Sequence, residues 1–226
     1  MNKFIKFFIV ILWKIFFFPN KVIKNYNKIS KKCIFIISLP RTGSTIFYNT
    51  LIYRNNFNYI SNINLFLPYK KNIISKKFFE KIHYGFTNGL YGPSEFGPLK
   101  INFFYPNKKF DDYLKKKTQN NKFIIFKNTN FIFNIELLIK NFPNAQFILV
   151  KRKNMEIKNS LKKFKKELKK NYHFFIYPSS NHEYKSNNHY FFKYYDKAKN
   201  ILKKKKIKYR EIEYNQIIDN SIKWNS

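Results

Sequence analysis

The amino-acid sequence predicts an α/β fold in which helices flank a parallel β-sheet. Short apolar runs alternate with stretches of helical periodicity along most of the chain. Three of the runs consist almost entirely of Ile, Leu, Val and Phe, and they lie at Cys33–Leu39, Phe123–Phe126 and Gln146–Val150. Strands that are covered by helices on both faces have this composition. Because strands and helices alternate, we expect parallel strands joined by right-handed crossovers.

The chain length of 226 residues accommodates one domain with a sizeable core, which we place at residues 32–226. Residues 1–31 precede it as an apolar segment and a basic linker. Residues 4–18 are apolar apart from Lys6 and Lys14, and they predict an N-terminal helix. Such a helix can anchor at a membrane surface, or cross a thin membrane, with its lysines reaching water. We therefore expect a cytoplasmic protein with peripheral membrane contact through residues 4–18; a helix packed on the domain is the alternative.

The chain carries 45 basic and 12 acidic residues, a formal net charge of +33. This charge is typical of proteins that bind nucleic acids or anionic membranes. A second explanation is compositional, since Lys, Asn, Ile and Phe are enriched together while Ala is nearly absent, as AT-rich codon usage produces. Lysine also outnumbers arginine, the residue that reads bases through a bidentate fork. We therefore expect no specific nucleic-acid partner.

The cysteine and histidine residues predict neither an internal disulfide nor a metal site. Cys33 is the only cysteine, and its place in an apolar strand indicates a small core side chain. None of the four histidines has the spacing of a metal-ligand pair: His83, His173, His182 and His189. No metal is expected.

The first apolar strand is followed by a polar turn and then by a helical stretch. Pro40 ends the strand, because proline cannot donate a ladder hydrogen bond. Helical periodicity then extends from Ile46 to Arg54. A helix N-terminus after such a turn presents backbone N–H groups to a phosphate, and a glycine lets the anion approach closely. The candidate anion ligands are the residues of the turn: Arg41, Thr42, Gly43, Ser44 and Thr45. An ordinary βα turn is the alternative.

Further helices and a last strand are predicted outside these segments. Region 55–122 is the least regular, with a short strand expected within 57–67, a helix at 76–83, and a Gly- and Pro-rich loop at 87–98. The later elements are helices at 131–140, 155–170 and 189–206, and a strand at 207–212.

The segment SLPRTGST, Ser38–Thr45, resembles the 5′-phosphosulfate loop of sulfotransferases, whose usual form is P-[RK]-[ST]-G-[ST]-T. A second segment, FPNAQFILVKRKNMEIKNS at Phe142–Ser160, resembles the family's 3′-phosphate-binding element. In that element an arginine at a strand end precedes a serine by eight positions, as Arg152 precedes Ser160 here. The proline that usually follows the arginine is missing, while Glu156 keeps the acidic position.

Two shorter segments follow the same family pattern. FKNTNF, Phe126–Phe131, resembles the strand end that carries the family's lysine, here Lys127, although the usual proline is absent. A lysine that extends from a strand end into solvent is the alternative. REIEYNQI, Arg210–Ile217, matches the family's late strand only in part, through Tyr214.

The resemblance is to the broad group that includes the tyrosylprotein and bacterial carbohydrate sulfotransferases. It implies a P-loop-like α/β fold and 3′-phosphoadenylyl sulfate (PAPS) as the sulfuryl donor. The implied acceptor is a hydroxyl of a carbohydrate, a lipid or a small metabolite. The resemblance also implies that Arg41 and residues 42–45 hold the 5′-phosphosulfate, that Lys127 assists at the sulfuryl oxygens, and that Arg152 and Ser160 hold the 3′-phosphate.

An acceptor hydroxyl needs a base, and relatives use either glutamate or histidine. Glu95 is the candidate, because it is one of few acidic residues and lies in a loop bracketed by glycine and proline. His83 is the rival candidate. An acid that only orders the loop is the alternative for Glu95.

Two other functions stay open from the sequence. A non-catalytic basic domain could bind nucleic acid or an anionic membrane, although the spacing of Arg152 and Ser160 favours a sulfotransferase. A P-loop kinase-like phosphotransferase is disfavoured, because the Walker A pattern and its lysine are absent and Arg41 precedes the glycine.

Overall fold

The computed structural model describes residues 31–55, 57–61, 123–170 and 188–219, together with Pro93 and Lys115. The strands are β1 (Cys33–Ser38), β2 (Ile124–Lys127), β3 (Gln146–Lys151) and β4 (Tyr209–Glu213). The α-helices are α1 (Ser44–Asn55), α2 (Ile135–Asn141), α3 (Asn154–Lys170), α4 (Asn188–Lys204) and α5 (Tyr214–Ile218), and a 3₁₀ helix spans Thr129–Phe133.

The four strands form one parallel sheet in the order β2-β1-β3-β4. Ile36 of β1 lies opposite Lys127 of β2, and Ser38 lies opposite Val150 of β3. The chain therefore leaves β1 for one neighbour, β2, and then crosses to the other neighbour, β3. Open parallel sheets bind ligands at such a reversal of strand order, outside the carboxyl ends of the strands. The predicted parallel α/β fold flanked by helices is confirmed.

Both faces of the sheet are buried, as the continuous apolar runs predict. Phe35 and Ile37 of β1 pack on one face, which is covered by the 3₁₀ helix, α2, α4 and the start of α3. Ile34 and Ile36 pack on the opposite face, beneath α1 and α5. Cys33 is fully buried in the first of these faces, where burial raises the pKa of its thiol. It is a core side chain, as expected from the sequence.

Phe35 lies at the centre of the first face. Its ring centroid is 5.0 Å from those of Phe126 and Phe142, and 5.6 Å from those of Phe131 and Phe147. The four rings come from β2, β3, the 3₁₀ helix and the residue after α2. Aromatic pairs in stacked and edge-on arrangements add to the stabilisation from burial alone.

An ion pair joins α4 to the edge strand β4. Lys199 Nζ lies 2.7 Å from Glu211 Oε2, and both side chains are partly exposed. Burial alone would raise the pKa of Glu211, but the hydrogen bond and the charge of Lys199 outweigh it and lower the pKa. The hydrogen bond to Glu211 raises the pKa of Lys199 in turn.

One predicted element differs from the structure, and another is described only in part. The helix predicted at 131–140 is divided into the 3₁₀ helix and α2, because the N–H groups of Phe131 and Asn134 bond to carbonyls three residues earlier. Only residues 57–61 of the strand predicted within 57–67 are described. There Asn58 forms an isolated parallel bridge with Ile124 of β2: the Asn58 N–H donates to the Phe123 carbonyl and the Asn58 carbonyl accepts from the Ile125 N–H, each at 2.9 Å.

Several predictions concern residues outside the described part of the chain. They are the apolar helix at 4–18, the helix at 76–83 and, apart from Pro93, the loop at 87–98. Among the described residues, no helix combines the length and the hydropathy that a membrane span requires. The division into residues 1–31 and 32–226 stays a prediction.

We predict that Phe35→Ala lowers the free energy of unfolding by about 3–5 kcal/mol, because it removes the ring that the four other rings contact. Urea denaturation followed by circular dichroism measures the change. Tyr53→Ala is the matched control, since Tyr53 is an aromatic residue with a 68% exposed side chain. A loss below about 1 kcal/mol in Phe35→Ala would show that the core does not depend on this ring.

Candidate active site

The carboxyl ends of all four strands contribute residues to one edge of the sheet. The loop at residues 39–43 follows β1, and Lys127 is the last residue of β2. Arg152 follows β3 directly, and Tyr214 follows β4 directly. Because the strands are parallel and in register, these residues lie side by side although they are far apart in sequence.

The loop after β1 is compact and internally bonded. Thr42 is 1% exposed, and its Oγ1 donates a hydrogen bond of 2.9 Å to the Leu39 carbonyl. Arg41 and Gly43 have φ angles of +67° and +83°, in the left-handed region that suits glycine and strains other residues. The Phe47 N–H donates to the Gly43 carbonyl at 3.0 Å and so begins α1. The predicted strand–turn–helix unit is confirmed, with α1 beginning at Ser44 rather than at Ile46.

Gly43 is packed against the ring of Tyr214. A Cβ atom at Gly43 would lie 2.5 Å from both Cδ2 and Cε2 of Tyr214, so a larger residue would collide with the ring. The glycine is therefore required here both for its φ angle and for the space that the ring occupies.

The loop contacts the second predicted phosphate element directly. Arg41 Nε donates a hydrogen bond of 3.0 Å to Ser160 Oγ on α3, across 119 positions of sequence. The side chain of Arg41 thus reaches the serine that the sequence assigns to the 3′-phosphate. The two elements form one continuous surface of hydroxyl and guanidinium groups.

Arg152 is held from three sides. Its Nε donates to Glu156 Oε2 at 2.8 Å, in the first turn of α3, and its Nη1 donates to the Arg41 carbonyl at 3.0 Å. Its guanidinium carbon lies 3.9 Å from the ring centroid of Tyr214, within the range of a cation–π interaction. Groups of the protein itself therefore orient the guanidinium of Arg152.

Lys127 occupies the side of the loop next to β2. It is 3% exposed, and its Nζ donates a hydrogen bond of 3.1 Å to Thr45 Oγ1 in the first turn of α1. The side chain is buried and does not extend from the strand end into solvent. The positive charge of its ammonium group lies on the same side of the loop as the N–H dipoles at the start of α1.

The structure brings together eight of the residues that the sequence proposes for the site: Arg41, Thr42, Gly43, Ser44, Thr45, Lys127, Arg152 and Ser160. Glu95 and His83, the two candidates for the base, lie outside the described residues. Within the described part of the chain, no group of three or more His, Cys, Asp and Glu side chains is placed to hold a metal ion.

Two residues have roles in the site that sequence reasoning did not assign. Glu156, in the first turn of α3, pairs with Arg152, and the four-residue spacing of these opposite charges was the available signal. Tyr214 contacts both Gly43 and Arg152, but no local pattern indicates these contacts, because they join β4 to residues more than 60 positions earlier.

A family model described as "Sulfotransferase family" matches residues 33–224, which is most of the chain. The chain belongs to the sulfotransferase family. The matched residues include the loop after β1, Lys127, Arg152, Ser160 and Tyr214. The sequence resemblance is confirmed, and family membership implies an enzyme that transfers a sulfuryl group.

No significant match to a curated protein sequence is found. Among solved structures, the chain is similar to a sulfotransferase from Alicyclobacillus acidocaldarius, at 12% sequence identity and a TM-score of 0.40. The similarity covers 83% of this chain and 75% of that one.

We predict that Gly43→Ala destabilises the sulfotransferase domain and distorts its loop. A left-handed alanine costs about 1–2 kcal/mol, and the collision with Tyr214 adds to this. Denaturant unfolding measures the loss. Ile46→Ala on the same helix is the control, because the Ile46 side chain is 50% exposed and should change stability by less than about 0.5 kcal/mol. Equal stability of the two variants would contradict the tight packing of the loop.

Proposed function

We propose that this sulfotransferase transfers a sulfuryl group from PAPS to an acceptor hydroxyl of a carbohydrate, a lipid or a small metabolite. The observation that carries the proposal is the hydrogen bond between Arg41 Nε and Ser160 Oγ. It joins a loop suited to a 5′-phosphosulfate to an element suited to a 3′-phosphate. A donor with both groups would use both elements, whereas ADP would use one.

The chemistry of the donor set fits such a polyanion. Arg41 and Arg152 are permanent cations whose forked guanidinium groups suit phosphate oxygens. Residues 42–45 would hold the 5′-phosphosulfate with backbone N–H groups and hydroxyls, and Arg152 and Ser160 would hold the 3′-phosphate. The carboxylate of Glu156, which contacts this surface, is paired with Arg152.

Bound PAPS would supply an activated sulfuryl group whose transfer leaves additional negative charge on the departing 5′-phosphate. Arg41 would stabilise that charge, and Lys127 would assist at the sulfuryl oxygens; both contact residues of the same site, next to the N-terminus of α1. Preorganised cations of this kind lower the barrier because they need no rearrangement during the reaction. Glu95, or His83 in its place, is the proposed acceptor of the hydroxyl proton.

We predict that calorimetry at moderate salt shows tighter binding of 3′-phosphoadenosine 5′-phosphate (PAP) than of ADP, and that Arg152→Ala removes the preference. Loss of charged hydrogen bonds to a phosphate costs about 1.5–3 kcal/mol, which corresponds to a roughly 10- to 100-fold weaker affinity for PAP. The matched control is Arg54→Ala, which removes the same side chain from the far end of α1.

Arg54→Ala should bind PAP as the wild type does. Weak binding of PAP and ADP alike, with an affinity that falls steeply as salt rises, would contradict the proposal. That result would favour the basic domain that binds nucleic acid or anionic membrane through its net charge of +33.

We predict that Lys127→Met slows PAP formation from PAPS by about 10²- to 10³-fold, the usual effect of removing one preorganised charge-stabilising group. The affinity for PAP should change little, because Lys127 is assigned to the sulfuryl group and PAP lacks it. The rate is followed with water or a panel of hydroxyl compounds as acceptor. Lys140→Met, in the last turn of α2, is the control. Equal rates in the two variants would exclude a role for Lys127 in transfer.

A further inference from the structure

The ring of Tyr214 lies between the two phosphate-binding elements. On one side, Cδ2 and Cε2 approach Gly43 so closely that a Cβ atom there would lie only 2.5 Å away. On the other side, the guanidinium carbon of Arg152 lies 3.9 Å from the ring centroid. One side chain therefore contacts both the loop after β1 and the arginine after β3.

The backbone fixes the position of this ring. Glu213, the last residue of β4, pairs with Lys151 in the sheet register, so Tyr214 follows β4 at the same level at which Arg152 follows β3. Glu213 and Gln216 form a capping box, in which the Glu213 N–H donates to Gln216 Oε1 at 2.9 Å. Ile217, 4% exposed, anchors the short helix in the core. Tyr214 is thus held by the sheet, the cap and the core together.

Tyr214 completes the set of contacts that restrain Arg152. Glu156 occupies the Nε edge of the guanidinium, the Arg41 carbonyl accepts from Nη1, and the ring covers one face. Among the described residues, no partner is placed at Nη2. The Nη2 edge of the guanidinium therefore offers hydrogen-bond donors to an anion. Removal of the Tyr214 ring would let the guanidinium plane tilt away from that anion.

We propose that Tyr214 is a positioning residue that couples the phosphate loop to Arg152 and so sets the preference for a nucleotide with a 3′-phosphate. The inference rests on the proposed function and goes beyond it, because it assigns the discrimination to a residue that acts through Arg152. The hydroxyl of Tyr214 is not needed for this role, since both contacts are made by the ring.

The test compares binding of PAP with binding of AMP, which lacks the 3′-phosphate, and uses the ratio of the two affinities. In Tyr214→Leu the ratio should fall by about three- to thirtyfold, the range that corresponds to a lost cation–π contact. In Tyr214→Phe the ratio should stay within about twofold of the wild type, because the ring remains. A residue that only supports folding would change the fraction of active protein and leave the ratio unchanged.

A double-mutant cycle shows whether Tyr214 acts through Arg152. In an Arg152→Ala background, Tyr214→Leu should have no further effect on the ratio, since the group that it positions is already absent. An additive effect of the two substitutions, or an unchanged ratio in Tyr214→Leu alone, would overturn the inference. The proposed function would still be supported in that case by the preference of the wild type for PAP.

If the wild type itself shows no preference for PAP over AMP, the proposed function fails and the inference fails with it. If Tyr214→Leu does not fold, Tyr214→Met replaces it in the same cycle, because methionine is flexible and apolar and fills the same space without an aromatic face. The expected fall in the ratio is the same, and retention of the wild-type ratio in Tyr214→Met overturns the inference.

Discussion

Parallel pairing of β1 with β3 is the constraint on which the site depends. These strands are neighbours although the 107 residues 39–145 separate the end of β1 from the start of β3. Their register sets the loop after β1 beside Arg152, so that the Arg41 carbonyl and the Arg152 guanidinium can form a hydrogen bond. A shift of one residue in this register would reverse the side chains of β3 between the two faces of the sheet and separate the two phosphate elements. Burial of both faces therefore protects the geometry of the site as well as the stability of the domain.

The site concentrates positive charge, and polar groups of the protein orient the side chains that carry it. Arg41 lies in the loop after β1, and Arg152 and Lys127 lie beside it. Each of the three donates a hydrogen bond within the protein, to Ser160, Glu156 and Thr45 respectively. Only Glu156 is itself charged, so the cluster keeps an excess of positive charge. Hydroxyl and carbonyl groups carry no net charge, so they orient the cations without cancelling the positive potential that attracts an anion. This arrangement favours rapid capture of a polyanion and limits the reorganisation that binding requires.

Much of the fold was predictable from local sequence, because buried parallel strands and a βα turn have short-range signatures. The spacing of Arg152 and Ser160 also identified the second element, since both residues lie on one strand–helix unit. The contacts of Tyr214 were not predictable in this way, because they depend on how β4 is placed beside β3. The sequence also left open whether Lys127 is buried, because a residue that follows an apolar run is often exposed. Its burial depends on a distant partner, since the hydroxyl of Thr45, 82 positions earlier, accepts its hydrogen bond.

The overall charge and the site contribute differently to recognition. A net charge of +33 attracts any anion, and that attraction weakens uniformly as salt rises. It cannot recognise the position at which a phosphate is attached, because it depends on the total charge of the ligand and not on where that charge lies. Discrimination requires donors that are fixed in position, and the three-sided restraint of Arg152 provides one. Lysines added to the surface by compositional drift would therefore raise the rate at which the protein encounters the donor. The choice among nucleotides depends instead on a few side chains at the carboxyl edge of the sheet.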